Sequence, residues 1–130
     1  MIGNVHEFHQ KFGLPLGAED QLLDDPAVQA FRVKFMREEL GEFIEAVMAG
    51  DRVKALDALL DLVYVVHGTA LFMGVSPAQW DAGMRAVHNC NMAKERVAKA
   101  SDSKRGSAWD VGKPVGWVGP EARLKEILSW

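Results

Sequence analysis

Three glutamates within five residues, Glu38, Glu39 and Glu42, and two aspartates further on, Asp57 and Asp61, are the side chains best placed to do chemistry. On a helix that turns about 100° per residue, Phe31, Phe35, Glu39 and Phe43 run down one side, with Glu42 between Phe31 and Phe35 and Glu38 just beside the stripe. Asp57 and Asp61 stand one turn apart, and Asp61 interrupts a run, Ala58 to Val66, that is otherwise apolar all round. Such a run predicts a helix buried on most of its surface. Ionised carboxylates facing a core cost several kcal/mol, about 3–5 when left unpaired, unless a cation joins them. Several carboxylates with few other donors suit a hard cation, Mg²⁺ first and Mn²⁺ as its substitute. The plainer alternative is a solvated acidic face with Lys and Arg partners. Glu38 and Glu45 fit that alternative; Glu39 and Asp61 do not.

Asn91 and Lys94 follow at helical spacing, with His88 one turn and Arg85 two turns before Asn91. A lysine and an asparagine suit phosphate oxygens by charge and by hydrogen bonding. A basic helix end complementing the macrodipole is the competing explanation. His6 and His9, three apart, could share a metal or touch a ligand, although two solvent-facing histidines are the simpler reading. Cys90, the single cysteine, excludes an internal disulfide and fits a reducing cytoplasm.

The elements that must carry these residues are helices. Val5, Phe8 and Phe12 share a face of a short opening helix that Gly13 and Pro15 end. Asp25-Pro26 reads as a cap with proline at the first helical position, opening a second helix that runs to about Ala49. Asp51 caps a third helix to about Met73, and Ser76-Pro77 starts a fourth that runs to about Lys99. From 99 to 119 the pattern dissolves into an irregular tail, which Trp109 and Trp117 are expected to anchor on the helical body. Ala122, Leu124, Ile127 and Leu128 mark a last short helix. The expected fold is all-α: one domain spanning 1–130, an antiparallel bundle of about four helices plus the C-terminal helix, with the tail packed on it. At 130 residues such a chain buries roughly two-thirds of its unfolded surface. A net charge of −3 leaves no electrostatic footprint for nucleic acid or an anionic membrane. The longest apolar stretch contains Asp61 and His67, which favours a core helix over a membrane span. The N-terminus lacks a signal-peptide pattern.

With these residues in view, the chain resembles the MazG-like all-α nucleoside triphosphate pyrophosphohydrolases, a superfamily that includes phosphoribosyl-ATP pyrophosphohydrolase. Its hallmark is Glu-Glu-x-x-Glu on one helix and Glu-x-x-Asp on the next. Glu38-Glu39-Leu40-Gly41-Glu42 matches the first element, and Asp61 the end of the second. The likeness is closest to a branch that includes enzymes acting on dUTP. It is carried by His6-Glu7-Phe8-His9, by Val87-His88-Asn89-Cys90-Asn91-Met92-Ala93-Lys94, and by Gly112-Lys113 with Gly116-Trp117. One position departs: Ala58 stands where the family has the first Glu of Glu-x-x-Asp. Asp57 is the neighbouring acid that could replace it.

The resemblance implies hydrolysis between the α and β phosphates of a nucleoside triphosphate, giving a monophosphate and pyrophosphate. It implies Mg²⁺ held by Glu38, Glu39, Glu42 and Asp61, with Asp57 a further candidate, and Glu38 or Glu39 as the base that takes a proton from water. Asn91 and Lys94 would hold phosphate oxygens, and Lys113 would close over them. Tyr64 and His67, one turn apart, either face the nucleotide or pack; the sequence leaves both open. The resemblance also implies a homodimer or dimer of dimers built through the long helices, and a cytoplasmic role in clearing non-standard or excess nucleotides. Two other classes compete. A helical assembly or nucleotide-binding module without catalysis is consistent with Ala58. A di-iron carboxylate bundle needs Glu-x-x-His on two helices, and none occurs here.

Overall fold

Each helix begins and ends where its local chemistry dictates. A computed structural model describes all 130 residues. Helix α1 (Ile2–Phe12) stops at Gly13, whose φ of 66° is a left-handed cap that glycine adopts without steric cost. Asp25 opens α2 (Pro26–Met48) by accepting hydrogen bonds from the N–H groups of Ala27 and Val28, at 2.9 and 3.3 Å. Asp51 opens α3 (Arg52–Phe72) by accepting from Lys54 N–H at 3.0 Å. Between them lie only Ala49 to Asp51, so α2 and α3 run antiparallel as the most extensively packed pair, with α1 laid on α3. Ser76 and Gln79 cap α4 (Pro77–Met92) reciprocally: each backbone N–H donates to the other's side chain, at 2.9 and 3.3 Å.

The fold class is all-α, with five helices and one minimal strand pair. The chain divides into two compact units, Met1–Trp80 and Asp81–Trp130. In the first, Ile2, Val5, Ala70, Leu71 and Val75 form the buried core, flanked by Met73 and Trp80. The loop before α2 is tied down by Gln21 N–H donating to Phe72 O at 2.7 Å. Gly74, with φ 79°, ends the turn after α3, and a Cβ there would lie 2.8 Å from the Glu19 and Asp20 backbone.

The second unit departs from the sequence expectation. Helix α4 stops at Met92 instead of near Lys99, because Glu95–Arg96 (β1) pairs antiparallel with Val111–Gly112 (β2). That non-local pairing overrides a segment rich in helix formers. Trp117 pins the tail as expected, its indole N–H donating to Cys90 O at 2.7 Å. Trp109 does not: it is 86 % exposed, with Arg96 over its ring. Helix α5 (Glu121–Leu128) buries Ile127.

Two faces also differ from their expected directions. On α1 the buried positions are Ile2, Val5 and His9, while Phe8 and Phe12 stay partly exposed, their rings in tilted contact at 4.7 Å. The periodicity fits either face, and His9 wins the interior by finding a buried acceptor. On α3, Val65 and the stretch from His67 to Phe72 carry most of the burial, whereas Leu56, Leu59, Leu60 and Val63 remain between 42 and 60 % exposed. By length and composition alone α3 could cross a membrane. It packs against α1 and α2 chiefly through its C-terminal half, so the run from Ala58 to Val66, expected to be buried on most of its surface, is largely exposed, Asp61 included.

Candidate active site

The predicted acids lie on the facing middles of α2 and α3. Glu39 is half-buried, and its Oε2 is shut off from solvent with no hydrogen-bond partner. Its pKa is raised, first by burial and then by the charge of Glu42, the charge of Asp61, a hydrogen bond shared with the Glu42 carboxyl, and the charge of Glu38. The structure therefore brings Glu38, Glu39, Glu42 and Asp61 into one electrostatic neighbourhood, with Glu39 at its centre. Asp57 is not among the charges acting on Glu39. It is exposed, while Ala58 beside it is 3 % exposed and occupies the inward position. Asp57 and Asp61, one turn apart, are both on the exposed side of α3.

As a donor set these residues suit a hard divalent cation: an orphaned, shielded carboxylate oxygen among like charges is what such an ion relieves. In this conformation no three His, Cys, Asp or Glu side chains converge on one point. Gathering them on an ion requires side-chain rotation.

Glu39 and Asp61 sit on the wall of a cavity of about 400 Å³ lined by side chains of α1, α2 and α3. Tyr64 joins the wall, its ring edge-on to Phe8 at 5.6 Å. His67 does not; it is buried edge-on to Trp80 at 5.2 Å. Deeper in the wall stand two residues that the sequence did not single out in these roles. Arg32 is 5 % exposed, and His9, expected to face solvent, is 3 % exposed. A signal for Arg32 existed: it lies seven residues before Glu39, two helical turns along the same face. His9 lies in the same relation to Ile2.

In the second unit, Lys94 and Lys113 converge on the Trp117 ring, their Nζ atoms 5.2 and 4.8 Å from its centroid. Both line a second cavity, of about 530 Å³, with Lys104 and Arg105. Asp110 closes it, holding Ser103 Oγ at 2.7 Å and Arg105 at 2.6 Å. Those bonds and the Val111 N–H draw its pKa down to about 2. Asn91 is exposed one turn before Lys94.

Facing helices that bring carboxylates together are a recurrent framework for metal-assisted hydrolysis; here Glu39 is half-buried, while Glu38, Glu42 and Asp61, the last expected to be buried, are exposed. The phosphoribosyl-ATP pyrophosphohydrolase family matches residues 5–91, two-thirds of the chain, and the chain belongs to that family and so to the MazG-like all-α pyrophosphohydrolase superfamily. The matched span contains all five acids, Tyr64, His67 and Asn91; Lys94 and Lys113 lie beyond it. An uncharacterised protein of Acanthamoeba polyphaga mimivirus is 32 % identical over 75 residues, which are 55 % of this chain and 30 % of that protein. The chain thus spans under a third of that relative's length.

Proposed function

We propose that the chain is a Mg²⁺-dependent nucleoside triphosphate pyrophosphohydrolase, with Mn²⁺ as a substitute metal. The carrying observation is Glu39: a carboxylate with an orphaned oxygen and raised pKa, in the segment the family matches, ringed by Glu38, Glu42 and Asp61. Glu38, Glu39, Glu42 and Asp61 would hold the ion, with Asp57 a further candidate. When bound, the ion neutralises phosphate charge and lowers the pKa of the attacking water. Glu38 or Glu39 would take the proton from that water. The water oxygen bonds to the α-phosphorus, the bond to the bridging oxygen of the β-phosphate breaks, and pyrophosphate leaves with the electron pair. Lys94, Lys113 and Asn91 offer contacts for phosphate oxygens, and Tyr64 an aromatic edge for the nucleoside. His67 has a packing role.

The assembly we propose is a homodimer or dimer of dimers. Its support is the row Leu40, Ile44 and Val47 on α2 with Leu56, Leu60 and Val63 on α3, all between 44 and 60 % exposed. A contiguous apolar surface of this kind is unusual on a soluble monomer. A role in clearing nucleotides from the cytoplasm goes with this reaction.

Ala58 favours one second reading, a helical nucleotide-binding or assembly module with little or no turnover. Steady-state hydrolysis of nucleoside triphosphates with Mg²⁺, with Mn²⁺ and with EDTA separates the two. Metal-dependent turnover that Glu39→Gln abolishes supports the enzyme; silence under every condition supports the module.

A further inference from the structure

The net charge of −3 conceals a division of sign. Acids outnumber cations in the first unit, and cations outnumber acids in the second. The whole of that second excess falls on the β1–β2 hairpin and its loop, where Lys94, Arg96, Lys99, Lys104, Arg105 and Lys113 stand against only Glu95, Asp102 and Asp110. Arg105 is paired with Asp110 at 2.6 Å, and none of the other cations of the hairpin takes part in an ion pair. Lys94, Lys104, Arg105 and Lys113 all line the cavity of about 530 Å³. A concave space lined by like charges focuses the potential that draws an anion in.

The same hairpin holds an aromatic ring out in solvent. Trp109 is 86 % exposed, an unusual state for so large an apolar group. The loop that carries it is ordered. Trp109 N–H donates to Ser107 Oγ at 3.1 Å, and Asp110 beside it ties down Ser103 and Arg105. Arg96 lies over the ring, its guanidinium carbon 5.0 Å from the centre, and its Nε–H donates to Ala108 O at 3.3 Å. The ring is thus backed by a cation on one face and open on the other. In the strand register Glu95 stands opposite Gly112, which sets Lys94 and Lys113 opposite each other one step further, both over Trp117. The open ring and the two lysines occupy the two ends of one short hairpin, about 7 Å apart for the two strand residues between Arg96 and Lys94.

We infer that this hairpin is a binding surface for single-stranded nucleic acid, with a base stacked on the open face of Trp109 and backbone phosphates held by Lys94, Lys104 and Lys113. A stacking ring beside a cationic groove is how unpaired strands are held without sequence preference. A duplex keeps its base faces inside the stack, so it offers Trp109 nothing to cover. A lone nucleotide meets the ring or the lysines, whereas a strand meets both. An anionic membrane presents its charges in a plane, while these lysines line a concave space. Because the ring and the cations are already ordered, little freedom is lost when the strand binds. The inference goes beyond the proposed hydrolysis and does not need it. The two meet at Lys94 and Lys113, which are also offered to substrate phosphates, so a bound strand should compete with triphosphate there.

The test is fluorescence anisotropy of labelled oligo-dT and oligo-U of about 15 nucleotides, alone and as duplexes, titrated with the full chain. The single strands are expected to bind at micromolar levels in about 50 mM salt, with the duplexes at least about tenfold weaker. Lys94, Lys104 and Lys113, at roughly 0.7 each, give a salt slope of about −2, a loss of about twentyfold between about 50 and 200 mM. Trp109→Ala should cost about tenfold, the stacking of one base, and Trp109→Phe should keep most of the affinity. Lys104→Gln should flatten the slope by roughly 0.7. Trp109 and Lys104 are exposed, so these variants keep the fold, which circular dichroism checks. A difference between oligo-dT and oligo-U assigns the surface to one nucleic acid, and equal binding assigns it to both. No binding of either strand below about 100 µM overturns the inference. So do duplexes bound as tightly as single strands, affinity unchanged in Trp109→Ala, and phosphatidylserine vesicles bound in place of the strands. Strand binding by a chain that hydrolyses no triphosphate leaves this inference standing while the proposed reaction falls; hydrolysis without strand binding does the reverse.

Discussion

Neutralising Glu39 should separate stability from catalysis. Glu39→Gln keeps the side-chain volume and removes the charge that burial and three neighbouring carboxylates oppose. Because the folded-state pKa is raised, the folded chain binds this proton more tightly than the unfolded chain does. The associated stability is complete below the ordinary glutamate pKa and is lost as pH rises through the raised one. Above the raised pKa the wild type carries the penalty, and the variant carries none of the charge part. A buried polar atom without a partner costs on the order of 1–3 kcal/mol. The glutamine amide retains some of that cost, and solvent at this half-exposed position weakens the charge repulsion. A net gain of about 1 kcal/mol remains, equivalent to roughly 4 °C in Tm for a chain of this size. Thermal unfolding in EDTA should show the gain at pH 7 and its disappearance near about pH 4, where the unfolded-state glutamate takes up its proton. Mg²⁺ should raise the Tm of the wild type and have much less effect on the variant. Turnover should fall by about 100-fold or more. A variant less stable than wild type at pH 7 in EDTA would refute the reasoning, because it would mean that the Glu39 charge is already compensated in the resting protein.

The remaining predictions concern assembly and the second unit. Leu60, 60 % exposed on α3, should tolerate arginine in an isolated chain but not in an assembled one. Leu60→Arg is expected to lower the sedimentation mass to that of one chain with helix content unchanged, and a wild type that already sediments as a monomer contradicts the proposed assembly. Asp110 has its pKa lowered to about 2 by Arg105, Ser103 and the Val111 N–H. Its contribution is present above the ordinary aspartate range and lost as pH falls through about 2. Asp110→Asn should therefore speed amide exchange between residues 103 and 111 at neutral pH, and unchanged protection there would show that this hub does not hold the loop.

Helix ends were legible because their signals are local. Asp25-Pro26, Asp51 and Gly13 act within a turn of themselves, and the structure uses each of them. Glu39 was legible for the same reason: an acid on an aromatic stripe breaks a short-range pattern. What the sequence could not convey depends on distant partners. Arg32 looks like a surface residue until Thr69 and Val65, on another helix, supply its acceptors. His9 takes the interior because a loop carbonyl, Pro15 O, meets its ring. Helix α4 ends early because Val111–Gly112 reaches back to pair with Glu95–Arg96, a non-local partner. Helix α3 shows the opposite limit: a run apolar all round states that something must cover it without stating what, and α2 and α1 are its most extensive partners.

The most direct test is the identity of the products formed from a deoxynucleoside triphosphate with Mg²⁺, followed by phosphorus NMR in water enriched in heavy oxygen. The account predicts a monophosphate and pyrophosphate, with the heavy oxygen on the monophosphate, and neither product from Glu39→Gln. Diphosphate and inorganic phosphate, or heavy oxygen on the pyrophosphate, would contradict attack at the α-phosphorus and with it the proposed use of these carboxylates.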